Sequence, residues 1–129
     1  MKCYVLTGIS KAVIEEIVRG NIRNIELRSA HNVATALNVK IGDHVFLTVA
    51  KTHDLEKGVS GLIAEVTGKE VMSQSVFYSS PHYAEECEIT VVRLKLLPKA
   101  VGRIIKLKPS EILGTREAEI VEVSIFNAR

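Results

Sequence analysis

Short apolar runs that alternate with polar residues recur along nearly the whole chain, and glycines separate many of them. They lie at Lys2 to Thr7, Arg23 to Arg28, His44 to Ala50, Leu62 to Thr67, Glu70 to Phe77, Glu88 to Leu97, Ile104 to Leu107 and Glu119 to Phe126. A period of two puts successive side chains on opposite faces, so each run reads as a strand. Hydrophobic residues make up 47% of the chain, rich in Val and Ile and without Trp. Such β-branched side chains fit a pleated surface at little rotamer cost. Helical patterns do not recur between the later runs, which argues against a parallel α/β sheet. The expected fold is mostly β with α, an α+β arrangement. It is a small barrel with one N-terminal helix and one short helix after the second strand. The 129 residues suit one ordinary domain, and no repeat, low-complexity tract or linker divides them, so residues 1–129 read as a single domain.

Individual runs predict more detail. In the first, Tyr4 and Leu6 share one face and Cys3 and Val5 the other, the pattern of a central strand buried on both sides. Ser10 is placed to cap a helix that buries Ile9, Val13 and Ile17 and exposes Lys11, Glu15 and Arg19 as i,i+4 charge pairs. Gly20 is placed as its left-handed end. Ser29 caps a second, short helix through Leu37, with Val33 and Leu37 one turn apart and Asn38 as its stop. Ser79 to Tyr83 reads as a loop that begins a helical turn ending near Glu86. Between Glu88 and Leu97 the apolar phase slips, which predicts a β-bulge near Val91. Pro98 and Gly102 are expected to interrupt the chain, and Pro109 to start a turn through Gly114. The last strand is expected to turn Val121, Val123 and Ile125 inward.

The stretch from Arg23 to Leu47 concentrates charge, polar side chains and a tight turn. Ile25 and Leu27 face one way, which leaves Asn24, Glu26 and Arg28 together on the other. Gly42-Asp43 forms a turn in which Asp43 bonds back to the crossover backbone. This order of strand, helix, R-x-x-E-x-R strand, short helix, G-D turn and apolar strand resembles the ASCH branch of the PUA-like barrels. Those domains carry G-x-K-x-x-E-x-R followed by G-D. Here Arg23 stands at the Lys position, and Gly20 lies one residue further upstream. Met1-Lys2-Cys3 with Leu6-Thr7-Gly8-Ile9-Ser10 and the chain length resemble an archaeal family of unknown function, family 473. The PUA-like resemblance implies binding of RNA or a modified nucleobase in a cleft beside the barrel. Some ASCH members are amidohydrolases acting on modified nucleosides, with the motif Lys as base. The Arg23 guanidinium stays protonated and cannot serve that way, which leaves Glu26 as the one motif residue for a catalytic role.

The candidate ligand-binding residues are Arg23, Glu26 and Arg28, whose guanidinium forks suit a phosphate or base edge while Glu26 orients them. The competing reading is an exposed strand face with a weak surface ion pair. Tyr78, His82 and Tyr83 flank a serine-rich loop and would form the rim of the cleft by stacking, or else seal a barrel mouth. Arg93, Lys95, Arg103 and Lys106 belong to a run without acid from Ile89 to Ser110, a candidate track for a nucleic-acid backbone. Against it stand nearby acids and the ordinary use of lysine to guard a strand edge. The four histidines follow no ligand spacing, so neither a metal nor a cofactor is expected. No Ser-His-Asp or Cys-His set has local support. No leader-like or membrane-length apolar segment occurs, and two distant cysteines with a net charge of +2 suit a reduced, cytoplasmic protein without a membrane partner. The expected function is a stand-alone binding domain for RNA or a nucleotide-like ligand. The alternatives are an amidohydrolase acting on a modified nucleoside and a protein-interaction subunit without catalysis.

Overall fold

The computed structural model describes residues 1–108 and 116–126. In chain order it has β1 (Lys2–Leu6), α1 (Lys11–Val18), β2 (Asn24–Leu27), α2 (Ala30–Asn38) and β3 (His44–Leu47). A 3-10 turn at Thr52–Asp54 leads to β4 (Ser60–Ser79), β5 (Ala84–Leu107) and β6 (Glu117–Ile125). The fold is mostly β with two helices, placed as the sequence predicts. The strands lie in the order β2-β5-β4-β3-β1-β6, and β5 also pairs with β6, which closes five of them into a barrel-like ring. β1 and β3 are parallel, and the other ring pairings are antiparallel. β2 lies outside the ring, paired with Val92 to Lys95 of β5.

Two hydrophobic cores follow from this arrangement. Inside the ring, Cys3, Val5, Phe46, Ile63, Ala100, Ile104, Ala118 and Ile120 pack together. On its outer face, Leu6, Val45, Leu47, Leu62, Ala64 and Val66 meet Ile25 and Leu27 of β2 and the helix residues Ile17, Val33 and Ala36. β1, β3 and β4 are thus buried on both sides, and alternate residues go to different cores. The ring wall is tight at two glycines. A Cβ at Gly61 would meet the Leu47 carbonyl oxygen and the Phe46 ring, and one at Gly102 would lie 2.6 Å from Ile120. Neither glycine breaks a strand; each makes room for a core side chain.

The helices match their predicted positions with different contacts. Gly20 (φ +81°) ends α1 in the left-handed region, while the Ser10 side chain makes no capping bond. Arg19 pairs with Glu16 at 3.2 Å rather than with Glu15. Ser29 caps α2 by accepting from the Asn32 N–H at 3.4 Å. The α2 face that turns inward carries Asn32, Val33, Thr35 and Ala36, and Leu37 is half exposed. The buried Asn32 amide explains the rotation. Its Nδ2 donates to the Thr7 carbonyl at 2.8 Å and its Oδ1 accepts from the Thr7 N–H at 2.9 Å. That pair locks α2 onto the end of β1.

The largest departure is a single long hairpin. The two runs on either side of Gly68 are one strand of 20 residues, and β5 has 24. Ser80 to Tyr83 is a tight turn closed by the Ser80 N–H on the Tyr83 carbonyl at 2.7 Å, so the predicted helical turn gives way to strand from Ala84 onward. No bulge occurs at Val91, which pairs with Met72 in unbroken register. The shifts fall instead at Thr67 on β4 and at Lys99 on β5. Both Val91 and Val92 are buried, so the apolar phase slip marks a strand covered on both faces. Pro98 and Gly102 lie within β5, Pro98 beside the irregularity, where its missing N–H is tolerated. In β6 the inward residues are Ala118 and Ile120, and Val121, Val123 and Ile125 are exposed. Ile120 fills the space beside Gly102, which sets the parity and turns Val121 outward. The turn predicted from Pro109 to Gly114 lies outside the described residues.

Candidate functional site

Around Glu26 the site is a row across three strands. Glu26 on β2, Arg93 on β5 and Glu70 on β4 are direct cross-strand neighbours. Arg93 Nη2 donates to Glu26 Oε1 at 2.6 Å, and Arg28 Nη2 donates to Glu26 Oε2 at 2.8 Å. Glu70 stands 3.6 Å from the Arg93 guanidinium. Both Glu26 oxygens are therefore occupied by guanidinium groups. The hydrogen bond from Arg93, helped by the charge of Arg28, holds its carboxyl below the usual Glu range. Such a carboxylate is a good anchor and a poor base near neutral pH. All four side chains keep roughly a third or more of their surface in solvent, as expected on an open sheet face.

Arg23 lies elsewhere. Its carbonyl accepts from the Leu96 N–H at 2.7 Å, and the residue lines a cavity of about 860 Å³ that neither Glu26 nor Arg28 reaches. One wall is the end of α1 and the Ile22-Arg23 connection; the other is Leu96 to Lys99, where β5 is irregular. His44 and Glu65, direct cross-strand neighbours, face it from β3 and β4. Phe126 also lines it, its N–H donating to the Lys99 carbonyl at 2.9 Å. Among the described residues neither Arg23 nor Lys99 has an ion-pair partner.

Tyr78, His82 and Tyr83 sit at the tip of the β4–β5 hairpin, all exposed. Eight residues of strand, about 26 Å, separate Arg93 from the row of Tyr78 and Glu85, so these aromatics do not join the Glu26 cluster. Glu85 and Glu86 stand directly opposite Tyr78 and Phe77. The basic residues are likewise spread out. Ten residues of strand, about 33 Å, lie between Arg93 and Arg103. Lys106 pairs across the ladder with Glu119, Lys108 approaches Glu117 at 3.8 Å, and Arg93 is held by Glu26, while Lys95 faces Asn24. Acids on β2 and β6 thus interleave the acid-free run of β5.

The family model described as protein of unknown function (DUF473) matches residues 1–118, which takes in β1 to β5, both helices and the first two residues of β6. The chain belongs to the DUF473 family. It is also similar to the uncharacterized protein MJ0105 of the archaeon Methanocaldococcus jannaschii, with 29% identity over 106 residues. That match covers 82% of this chain and 66% of MJ0105, just under two thirds of the relative's length.

In this DUF473 protein the cavity gathers residues that no local motif links. Lys99 sits in the basic run and Phe126 ends the last apolar run, but only ring closure sets them beside Arg23. The one signal in the chain is Pro98-Lys99, where an unpaired residue lets a side chain swing out of the ladder. Both cysteines are free, and burial pushes the Cys3 thiol up to about 12, so it is inert at neutral pH. Among the described residues no cluster of His, Cys, Asp and Glu suits a metal ion, and no helix is long and apolar enough to cross a membrane.

Proposed function

We propose that this protein binds RNA or a nucleotide-like ligand in the cavity between the end of α1 and the irregular stretch of β5. The observation that carries this reading is the pairing of Arg23 and Lys99, neither bound to an acid among the described residues, with an apolar wall that includes Leu97, Pro98 and Phe126. Cations of that kind suit a phosphate, and an aromatic ring beside them suits a base. The volume falls within the range common for small-molecule sites, roughly 300–1,000 Å³. Kinship with the ASCH branch of the PUA-like barrels belongs to the same reading. It is supported by the order of elements, by Gly42 at φ +96°, and by the Lys40 N–H donating to Asp43 Oδ2 at 2.8 Å in the G-D turn. The Glu26–Arg28 face, next to Arg23 in sequence but outside the cavity, is assigned to structure rather than to ligand contact.

Titration with short single-stranded RNAs and with mononucleotides at two salt concentrations tests the proposal. Binding should weaken as salt rises, and should fall about tenfold or more in Arg23→Ala and Lys99→Ala together. Absence of binding at low salt would sink it. The amidohydrolase alternative requires a base, and the low-lying carboxyl of Glu26 argues for binding without turnover. Hydrolysis of an acylated nucleoside that disappears in Glu26→Gln would reverse that judgement.

A further inference from the structure

Beyond the Val71–Val92 pair the long hairpin leaves the rest of the molecule. Residues 72–79 and 84–91 pair only with each other among the described residues, and none belongs to either hydrophobic cluster. Yet this ribbon is amphipathic. One face presents successive rows of Met72 with Val91, Gln74 with Ile89, and Val76 with Cys87, and ends at Tyr78 with Glu85. The opposite face presents Ser73 with Thr90, Ser75 with Glu88, and Phe77 with Glu86. Alternation of this kind belongs to a sheet with one covered side, and an isolated two-stranded ribbon is marginally stable in water. Val91 is fully buried at its root, but Met72, Val76, Cys87 and Ile89 are only partly covered.

We propose that a second copy of this chain covers that face, the two ribbons packing face to face and antiparallel about a twofold axis through the Gln74–Ile89 row. The ribbon is self-complementary under that operation. Met72 of one copy, beside the already buried Val91, meets the Val76–Cys87 row of the other, so apolar meets apolar. Glu85 at one tip arrives over Arg93 and Arg28 at the root of the other, because Arg93 and Glu85 lie equally far from Ile89, four residues on either side. Arg28 keeps half of its side chain in solvent, and Glu85 has no ion-pair partner among the described residues. Self-complementarity of one patch is what a twofold interface requires. Nucleic acid fits the same face badly: from Val71 to Val92 the chain has three Glu and no Lys or Arg.

Sedimentation velocity over a concentration series on the full chain tests this. The expected result is a concentration-dependent dimer whose dissociation constant rises at least about tenfold in Ile89→Glu, on the axis, and is unmoved in Thr90→Glu, on the opposite face. Glu85→Arg and Arg28→Glu should each weaken the dimer, and combining them should restore it. That exposed pair keeps the test sound if Ile89→Glu disturbs the ribbon itself. Packed sheets lie about 10 Å apart, too far for a disulfide, so in an Ile89→Cys, Cys87→Ser background a short bis-maleimide should link two copies. A monomer at every concentration, a dimer indifferent to Ile89→Glu and to the charge exchange, or an assembly formed only with added RNA overturns the proposal.

Discussion

The two halves of the β4–β5 hairpin share a ladder and an alternating sequence, and they live in opposite surroundings. In the near half, Leu62, Ile63, Ala64 and Val66 are almost wholly buried, the first and last two in the outer core and Ile63 inside the ring. In the far half, Val71, Phe77 and Tyr78 stand more than half exposed. Backbone pairing alone carries the strands past the ring, but cover on both faces is what anchors them. Hydrogen bonds shielded by packed side chains open only with the global transition, whereas those of an uncovered ribbon open locally.

Several substitutions would break or sharpen that contrast. Phe46→Ala, in the ring interior, should cost about 4 kcal/mol in denaturant unfolding. Gly61→Ala should cost about 2–3 kcal/mol, because the obstructing atoms include the Leu47 backbone carbonyl, which has nowhere to go. Asn32→Ala strands the N–H and the carbonyl of Thr7 and should cost about 2 kcal/mol, with faster amide exchange at Thr7. In the far half, Phe77→Ser should stay within about 0.5 kcal/mol. A loss there comparable with that of Phe46→Ala would end the distinction between the halves.

The smallest effect concerns pH. Glu26 has a folded-state carboxyl held below its unfolded value by Arg93, so its ion pair stabilises the fold at neutral pH. That contribution fades as pH falls through and below the ordinary Glu range, when the carboxyl takes up a proton. Glu26→Gln should therefore flatten the acid limb of the stability curve slightly and leave stability above neutrality little dependent on pH. An unchanged acid limb would mean that the Glu26–Arg93 contact is solvent-screened to nothing.

Much of the fold was legible because period-two and period-3.6 patterns are local. The two-sided β1, the inward Ile25 and Leu27, the Gly20 helix end and the Asp43 turn all follow from neighbours within a few residues. Where a distant contact decides, local pattern points the wrong way. Leu37 faces out because Asn32 is tied to Thr7, and Val121 faces out because Ile120 fits beside Gly102. Pro98 and Gly102 look like strand breaks until the ring shows one beside an irregularity and the other under a core side chain. For the site, the charged row around Glu26 was partly visible, but its key partner Arg93 sits far along the chain.

The sequence by itself determined that this would be a β-rich chain with two early helices, because side-chain alternation and turn chemistry act over a few residues. Only the tertiary structure decided that Arg23 shares a cavity with Lys99 and Phe126 while Glu26 and Arg28 do not, and that half of the hairpin leaves the core. Those outcomes depend on strand register and ring closure, which are set by how side chains from distant segments fill the same space.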